Sequence, residues 1–150
     1  MRHRVAKKKL GRTTSHRVAL IKNLATSLIM GEKIETTLAK AKFVKPYIEK
    51  LITRVKHDST YNTVRYLNTK LQTEESIKKL MSDVAPRFTN RPGGYTRLVR
   101  TKIRDGDNAV LARIEFVEKK KAAKVEKVTK TKKEVKEVKA EVVSKEENAK

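Results

Sequence analysis

The segment YTRLVRTKIRDGDNAVLARIEFV, residues 95–117, decides the fold class. In its second half Val110, Ala112, Ile114 and Phe116 alternate with Leu111, Arg113, Glu115 and Val117. A strand points successive side chains to opposite faces, so a period of two describes a half-buried strand with one apolar face. The first half, Tyr95 to Ile103, is strand-like, and Arg104-Asp105-Gly106-Asp107 has the composition of a turn. The two strands are expected to pair as an antiparallel hairpin.

Upstream of the hairpin the period becomes helical. Ser15 is the expected N-cap of a first helix carrying Val18, Ile21, Leu24, Ala25, Leu28 and Ile29, with Gly31 as its C-terminal stop. Lys33 to Glu35, around Ile34, is a short extended piece and a candidate third strand. Thr36 or Thr37 opens a second helix with Val44, Ile48, Leu51, Ile52 and Val55 on one face. Pro46 inside it removes a backbone donor, which predicts a kink near Lys42 rather than a break. Ser59 opens a third helix with Val64, Leu67 and Leu71. Thr73, followed by Glu74 and Glu75, opens a fourth with Ile77, Leu80, Met81 and Val84, which Pro86 is expected to end. The predicted class is therefore α+β: a two-layer domain of about four helices packed on a small, mainly antiparallel sheet. Ile21, Leu24, Leu28, Leu51 and Leu80 are its expected core anchors.

The ends of the chain differ from this body. The first 31 residues hold no carboxylate, and Arg2, Arg4, Lys7, Lys8, Lys9, Arg12, Arg17 and Lys22 fall within the first 22. Such a segment repels itself and orders only against a polyanion, most commonly RNA. Residues 1–13 read as a basic N-terminal arm running without a linker into a domain at 14–117. Residues 118–150 are a low-complexity charged tail of Lys, Glu, Val and Ala, expected to be disordered or transiently helical. The tail holds twelve Lys and seven Glu, so +16 of the formal +21 lies on the body and arm.

A pI near 10.3 points to nucleic acid or an anionic membrane surface. No apolar run approaches the roughly 18 residues needed to span a bilayer, and no secretory signal follows Met1. A cytoplasmic protein without a membrane partner is expected. The absence of cysteine excludes disulfides and zinc-thiolate sites. His3, His16 and His57 have no second ligand at metal spacing. Asp105 and Asp107 begin like a calcium loop, but the ligands stop there. No nucleophile beside a base and no paired carboxylates are recognisable. Hence no enzyme activity, cofactor, metal or small-molecule substrate is expected.

Three groups of residues are candidates for RNA contact. The first is the arm and its continuation: Arg2, His3, Arg4, Lys7, Lys8, Lys9, Arg12, Thr13, His16 and Arg17. The second is Lys40 and Lys42 at the second helix. The third runs through the carboxylate-free stretch between Asp83 and Asp105, with Arg87, Arg91, Gly93, Gly94, Tyr95, Arg97 and Arg100. Adjacent glycines let a backbone approach a phosphate closely. Tyr95 is either a platform for an unpaired base or a core residue of the turn. No Gly-Lys-Ser/Thr follows the glycines, so the loop is not a nucleotide-binding P-loop.

Met1-Arg2-His3-Arg4, Lys9-Leu10-Gly11-Arg12-Thr13, His16-Arg17, Ala19-Leu20 and Asn23-Leu24 resemble the opening of the L17 family of bacterial large-subunit ribosomal proteins. Ile34-Glu35-Thr36-Thr37 with Ala39-Lys40-Ala41-Lys42 is similar to the family's second block. Ala85-Pro86-Arg87, Arg91-Pro92-Gly93-Gly94-Tyr95-Thr96-Arg97 and Arg104-Asp105-Gly106-Asp107-Asn108-Ala109 resemble its third. The resemblance covers residues 1 to about 117. It implies a helix-on-sheet domain and a structural, non-enzymatic role on the ribosome. Its implied partners are large-subunit rRNA and neighbouring large-subunit proteins near the peptide exit tunnel, with one copy per ribosome. The tail inherits nothing from it. The competing reading is a nucleoid-associated DNA-binding protein, which the Lys-rich tail would suit.

Overall fold

The last strand in sequence, β3 (Val110–Phe116), is the middle strand of the sheet. It pairs antiparallel with β1 (Lys33–Thr37) on one side and with β2 (Thr96–Ile103) on the other, giving the order β1-β3-β2. The computed structural model describes residues 8–58 and 60–118. Ile114 faces Ile34 across one ladder and Leu98 across the other, so three apolar side chains stand in a row on the inner face. Ala112, Ile114 and Phe116 are buried as the alternation predicted, while Arg113 is exposed. The hairpin closes at Asp105–Asp107, and Arg104 N–H donates to the Ala109 carbonyl at 2.9 Å. Register slips between Arg100 and Ile103, where the ribbon leaves the body; there Val99, Ile103 and Val110 are exposed.

α1 (Thr14–Gly31) and α2 (Leu38–His57) cover the inner face, and α3 (Tyr61–Lys70) and α4 (Glu74–Lys79) pack against them. A wider π turn, Leu80–Val84, continues α4 into a last helical turn, α5 (Ala85–Arg87). Leu28, Leu51 and Leu80 are fully buried, as expected of core anchors. Ile21 and Leu24 are only half-buried, because α1 buries its second half through Ala25, Leu28 and Ile29 while Val18 faces solvent. Phe88 is the aromatic hinge of the core, 5.2 Å from the Tyr95 ring and 6.1 Å from that of Phe116, both tilted.

Four boundaries depart from the sequence reading. Thr13, not Ser15, occupies the N-cap of α1, because the chain has already turned at Leu10 and Gly11. The left-handed cap of α1 is Glu32 at φ 60°, not Gly31, and its N–H donates to the Leu28 carbonyl at 2.8 Å. The third helix is capped at Thr60, with residue 59 outside the described residues. Pro86 does not end the fourth helix. The π turn closes with Ala85 N–H on the Leu80 carbonyl, and the chain runs on to Phe88, whose N–H donates to Ala85 at 3.1 Å. Pro46 does not break α2, and both it and Lys42 are exposed.

Candidate nucleic-acid interface

The entry to α1 is built by a turn and one arginine. Leu10 and Gly11 both take positive φ, 55° and 63°, and Arg12 N–H closes on the Lys9 carbonyl at 3.2 Å. Arg17, one turn into α1, donates from Nη1 to the carbonyls of Lys9 and Arg12, each at 3.2 Å. Its guanidinium therefore fastens the arm's exit to the helix. Lys8, Lys9, Thr13 and His16 are exposed around this corner, and Arg12 is half-buried. Arg2, His3, Arg4 and Lys7 lie outside the described residues, as does the tail from 119 onward. Lys40 and Lys42 lie in the first turns of α2, Lys42 exposed and Lys40 half-buried.

The second basic stretch divides into structural and surface members. Arg87 is inside the fold: its side chain is 12% exposed and pairs with Glu32 and Asp83, each at 2.8 Å. Hydrogen bonding to Glu32 foremost raises the pKa of this guanidinium against the opposing effect of burial. Tyr95 is 1% exposed, and its hydroxyl donates to the Pro92 carbonyl at 3.4 Å. Lys56 Nζ lies 3.3 Å from that hydroxyl and also donates to the Arg91 carbonyl. Tyr95 is thus the core residue of its turn, and its ring faces are not open to a base.

Gly94 takes φ +64° whereas Gly93 does not, and both lie in open space. Arg97 is half-exposed and pairs with Glu115 across the ladder. Arg91 holds its own loop through Nε to the Gly93 carbonyl at 3.2 Å. Arg91 and Arg100 make no ion pair among the described residues, and Arg100 stands with Lys102 on the exposed end of the hairpin. Arg104 is committed to Asp107 in a two-pronged pair at 2.8 and 2.6 Å.

Ion pairing thus occupies Glu32, Asp83, Glu115 and Asp107 with arginine partners, and the surplus of cations is left on the outside. Among the described residues no group of three His, Cys, Asp or Glu side chains gathers as a metal site. No described helix is long and apolar enough to cross a membrane. The sequence reading passed over the Glu32–Arg87–Asp83 cluster, although the four-residue spacing of Asp83 and Arg87 was a legible signal.

The family model for ribosomal protein L17 matches residues 20–117, from within α1 through β3. The chain belongs to the ribosomal protein L17 family. A large ribosomal subunit protein bL17 of Campylobacter concisus is 52% identical over 117 residues, covering 78% of this chain and 98% of that protein. Its counterpart in Sulfurimonas denitrificans is 52% identical over 118 residues, 78% of this chain and all of that protein. That of Aliarcobacter butzleri is 50% identical over 117 residues, with 78% and 100% covered. The family is one of structural ribosomal proteins and not of enzymes. All three relatives match only about four-fifths of this chain, so its residues beyond their span are an addition relative to them.

Proposed function

We infer that this chain is a structural constituent of the large ribosomal subunit that holds rRNA between two basic surfaces. One is the arm with the Lys8–Arg17 corner, and the other is the Arg91 loop with the Arg100 and Lys102 end of the hairpin. The observation that carries this reading is the segregation of charge. The paired carboxylates lie against arginines of the fold, while Lys8, Lys9, Arg100 and Lys102 stand exposed. Cations placed in that way neutralise phosphates and release condensed counterions.

Phosphate and shape contacts dominate, with few base-edge contacts. Docking of the arm fixes two rRNA segments relative to one another. The site of action is the ribosome in the bacterial cytoplasm, with one copy per large subunit among the proteins near the exit tunnel. Residues 1–13 act as the arm, 14–117 as the domain, and 118–150 carry no assigned role.

The test is sedimentation of tagged full-length chain through gradients at moderate and high salt. Co-sedimentation with large subunits, one copy each, is the expected result. Sedimentation with DNA would overturn it in favour of a nucleoid role. Replacing Arg2, Arg4, Lys8 and Arg12 together with Ala should leave the melting temperature of the free protein nearly unchanged and impair incorporation. Normal incorporation would remove the arm from the mechanism. If about six phosphates are contacted, the log–log salt slope of rRNA binding is about −4 to −5.

A further inference from the structure

We propose that the exposed face of α3 is a seat for unpaired RNA bases, with Tyr61 as its stacking platform. This rests on the RNA-binding reading above and adds a third contact, on an element outside both basic surfaces.

α3 buries Thr63 and Leu67. Around the rest of its circumference the exposed side chains are Tyr61, Asn62, Arg65, Tyr66, Asn68 and Thr69. Tyr61 is 78% exposed and Tyr66 is 40% exposed. Large aromatics on a helix face normally turn toward the core, so two on the solvent side of one ten-residue helix require an explanation. Tyr66 is held in place by cations: Arg54 Cζ lies 5.9 Å from its ring centroid and Lys70 Nζ 5.3 Å. Among the described residues no cation lies over the Tyr61 ring, which faces solvent.

Charge chooses the occupant. On and beside α3 the cations are Arg54, Arg65 and Lys70, with Asp58 the one carboxylate just before the helix and Glu74 and Glu75 opening the next. Hydrogen bonding from Thr60, first its side chain and then its backbone N–H at 2.9 Å, holds the Asp58 carboxyl below its ordinary pKa. Aromatic rings interleaved with cations and amides are the inventory that single-stranded RNA needs. A base stacks on Tyr61, Arg65 neutralises the adjoining phosphate, and Asn62 and Asn68 offer both donors and acceptors to a base edge. A duplex hides its base faces and gains nothing from Tyr61.

The chain contains no tryptophan, so Tyr61→Trp places a single indole fluorophore on the seat. The full-length variant is titrated with single-stranded oligoadenylate, with a duplex of the same length, and with polyglutamate. The indole emission should be quenched by the single strand and not by the duplex. In parallel, Tyr61→Ala should weaken oligoadenylate binding about tenfold, Tyr61→Phe should retain it, and both should melt with the parent because the ring is exposed. Equal quenching by duplex or polyglutamate would overturn the proposal, the latter in favour of an acidic protein partner. Binding of the parent chain to isolated large-subunit rRNA separates the two readings. If rRNA is bound but the indole emission does not change and Tyr61→Ala binds normally, the seat alone fails. If rRNA is not bound at all, the wider function fails with it.

Discussion

Arg87 and Glu32 are 55 residues apart in the chain, and their side chains meet at 2.8 Å. Glu32 is also the left-handed residue that ends α1, and its carbonyl accepts the Phe116 N–H at 3.3 Å. One arginine thus ties the α1–β1 corner and the end of β3 to the turn after α4. Backbone strain at Glu32 is offset by this side-chain anchor.

Arg87→Ala should accordingly destabilise the domain by about 2 kcal/mol, the usual worth of charge-assisted hydrogen bonds at a half-buried site. Arg87→Lys should recover only part of it, since one ammonium would have to replace both Nη2, on which the Glu32 and Asp83 carboxylates converge, and Nη1, which reaches the Glu118 carbonyl at 3.5 Å. Chemical denaturation measures the loss. rRNA affinity, measured well below the melting point, should be unchanged; a large drop there would place Arg87 on the RNA instead.

The two glycines of the 92–95 turn should separate cleanly. Gly94→Ala forces a Cβ into φ +64° and should cost about 1 kcal/mol, although nothing lies within 4 Å to clash. Gly93→Ala, with ordinary backbone and open space, should be nearly neutral. Thermal melts of the pair decide it, and equal effects would mean the turn is not held in the left-handed form.

Tyr95→Phe keeps the ring against Phe88 and removes the hydroxyl that bonds Pro92. A loss of about 1 kcal/mol is expected, with Tyr95→Ala costing about 3–5 kcal/mol through the cavity. RNA affinity of the folded Phe variant should match the parent.

Two titrations check the local electrostatics. Burial, then repulsion from Tyr66, pushes the Tyr47 phenol up to about 12, and its hydroxyl donates to the Lys70 carbonyl at 2.7 Å. A raised phenol pKa favours the neutral form in the fold. Its stabilising contribution is therefore complete below the ordinary value of 10.0 and fades as pH climbs toward 12. Ultraviolet absorbance should show a late-ionising component that Tyr47→Phe removes. Asp107 behaves oppositely: hydrogen bonding to Arg104 first, then the Ala109 N–H, lowers it to about 2. Its contribution is complete above 3.8 and is lost as pH falls through about 2. Arg104→Ala should return its NMR midpoint most of the way toward 3.8.

The sheet and its inner face were legible because alternation at Ala112, Ile114 and Phe116 is a strictly local signal. The helices were legible for the same reason, but their ends were not. Glu32 caps α1 because Arg87 lies across from it, and Pro86 is accommodated because a π turn precedes it; neither partner is visible in a local window. Charge counting found the basic stretches but could not tell Arg87, paired and inside, from Arg100, exposed at the hairpin end. Tyr61 and Tyr66 went unremarked because no periodic rule marks an aromatic as outward-facing until the opposite side of its helix is seen to be buried.

The middle position of β3 gives folding of this sheet a definite last step. β1 and β2 pair only with β3 and never with each other. A nascent chain that stops before residue 110 has two lone strands and a helical layer with nothing to cover. Strand pairing over such sequence distance closes late and leaves apolar surface open until it does. Arrival of β3 between β1 and β2 is therefore the event that completes the sheet.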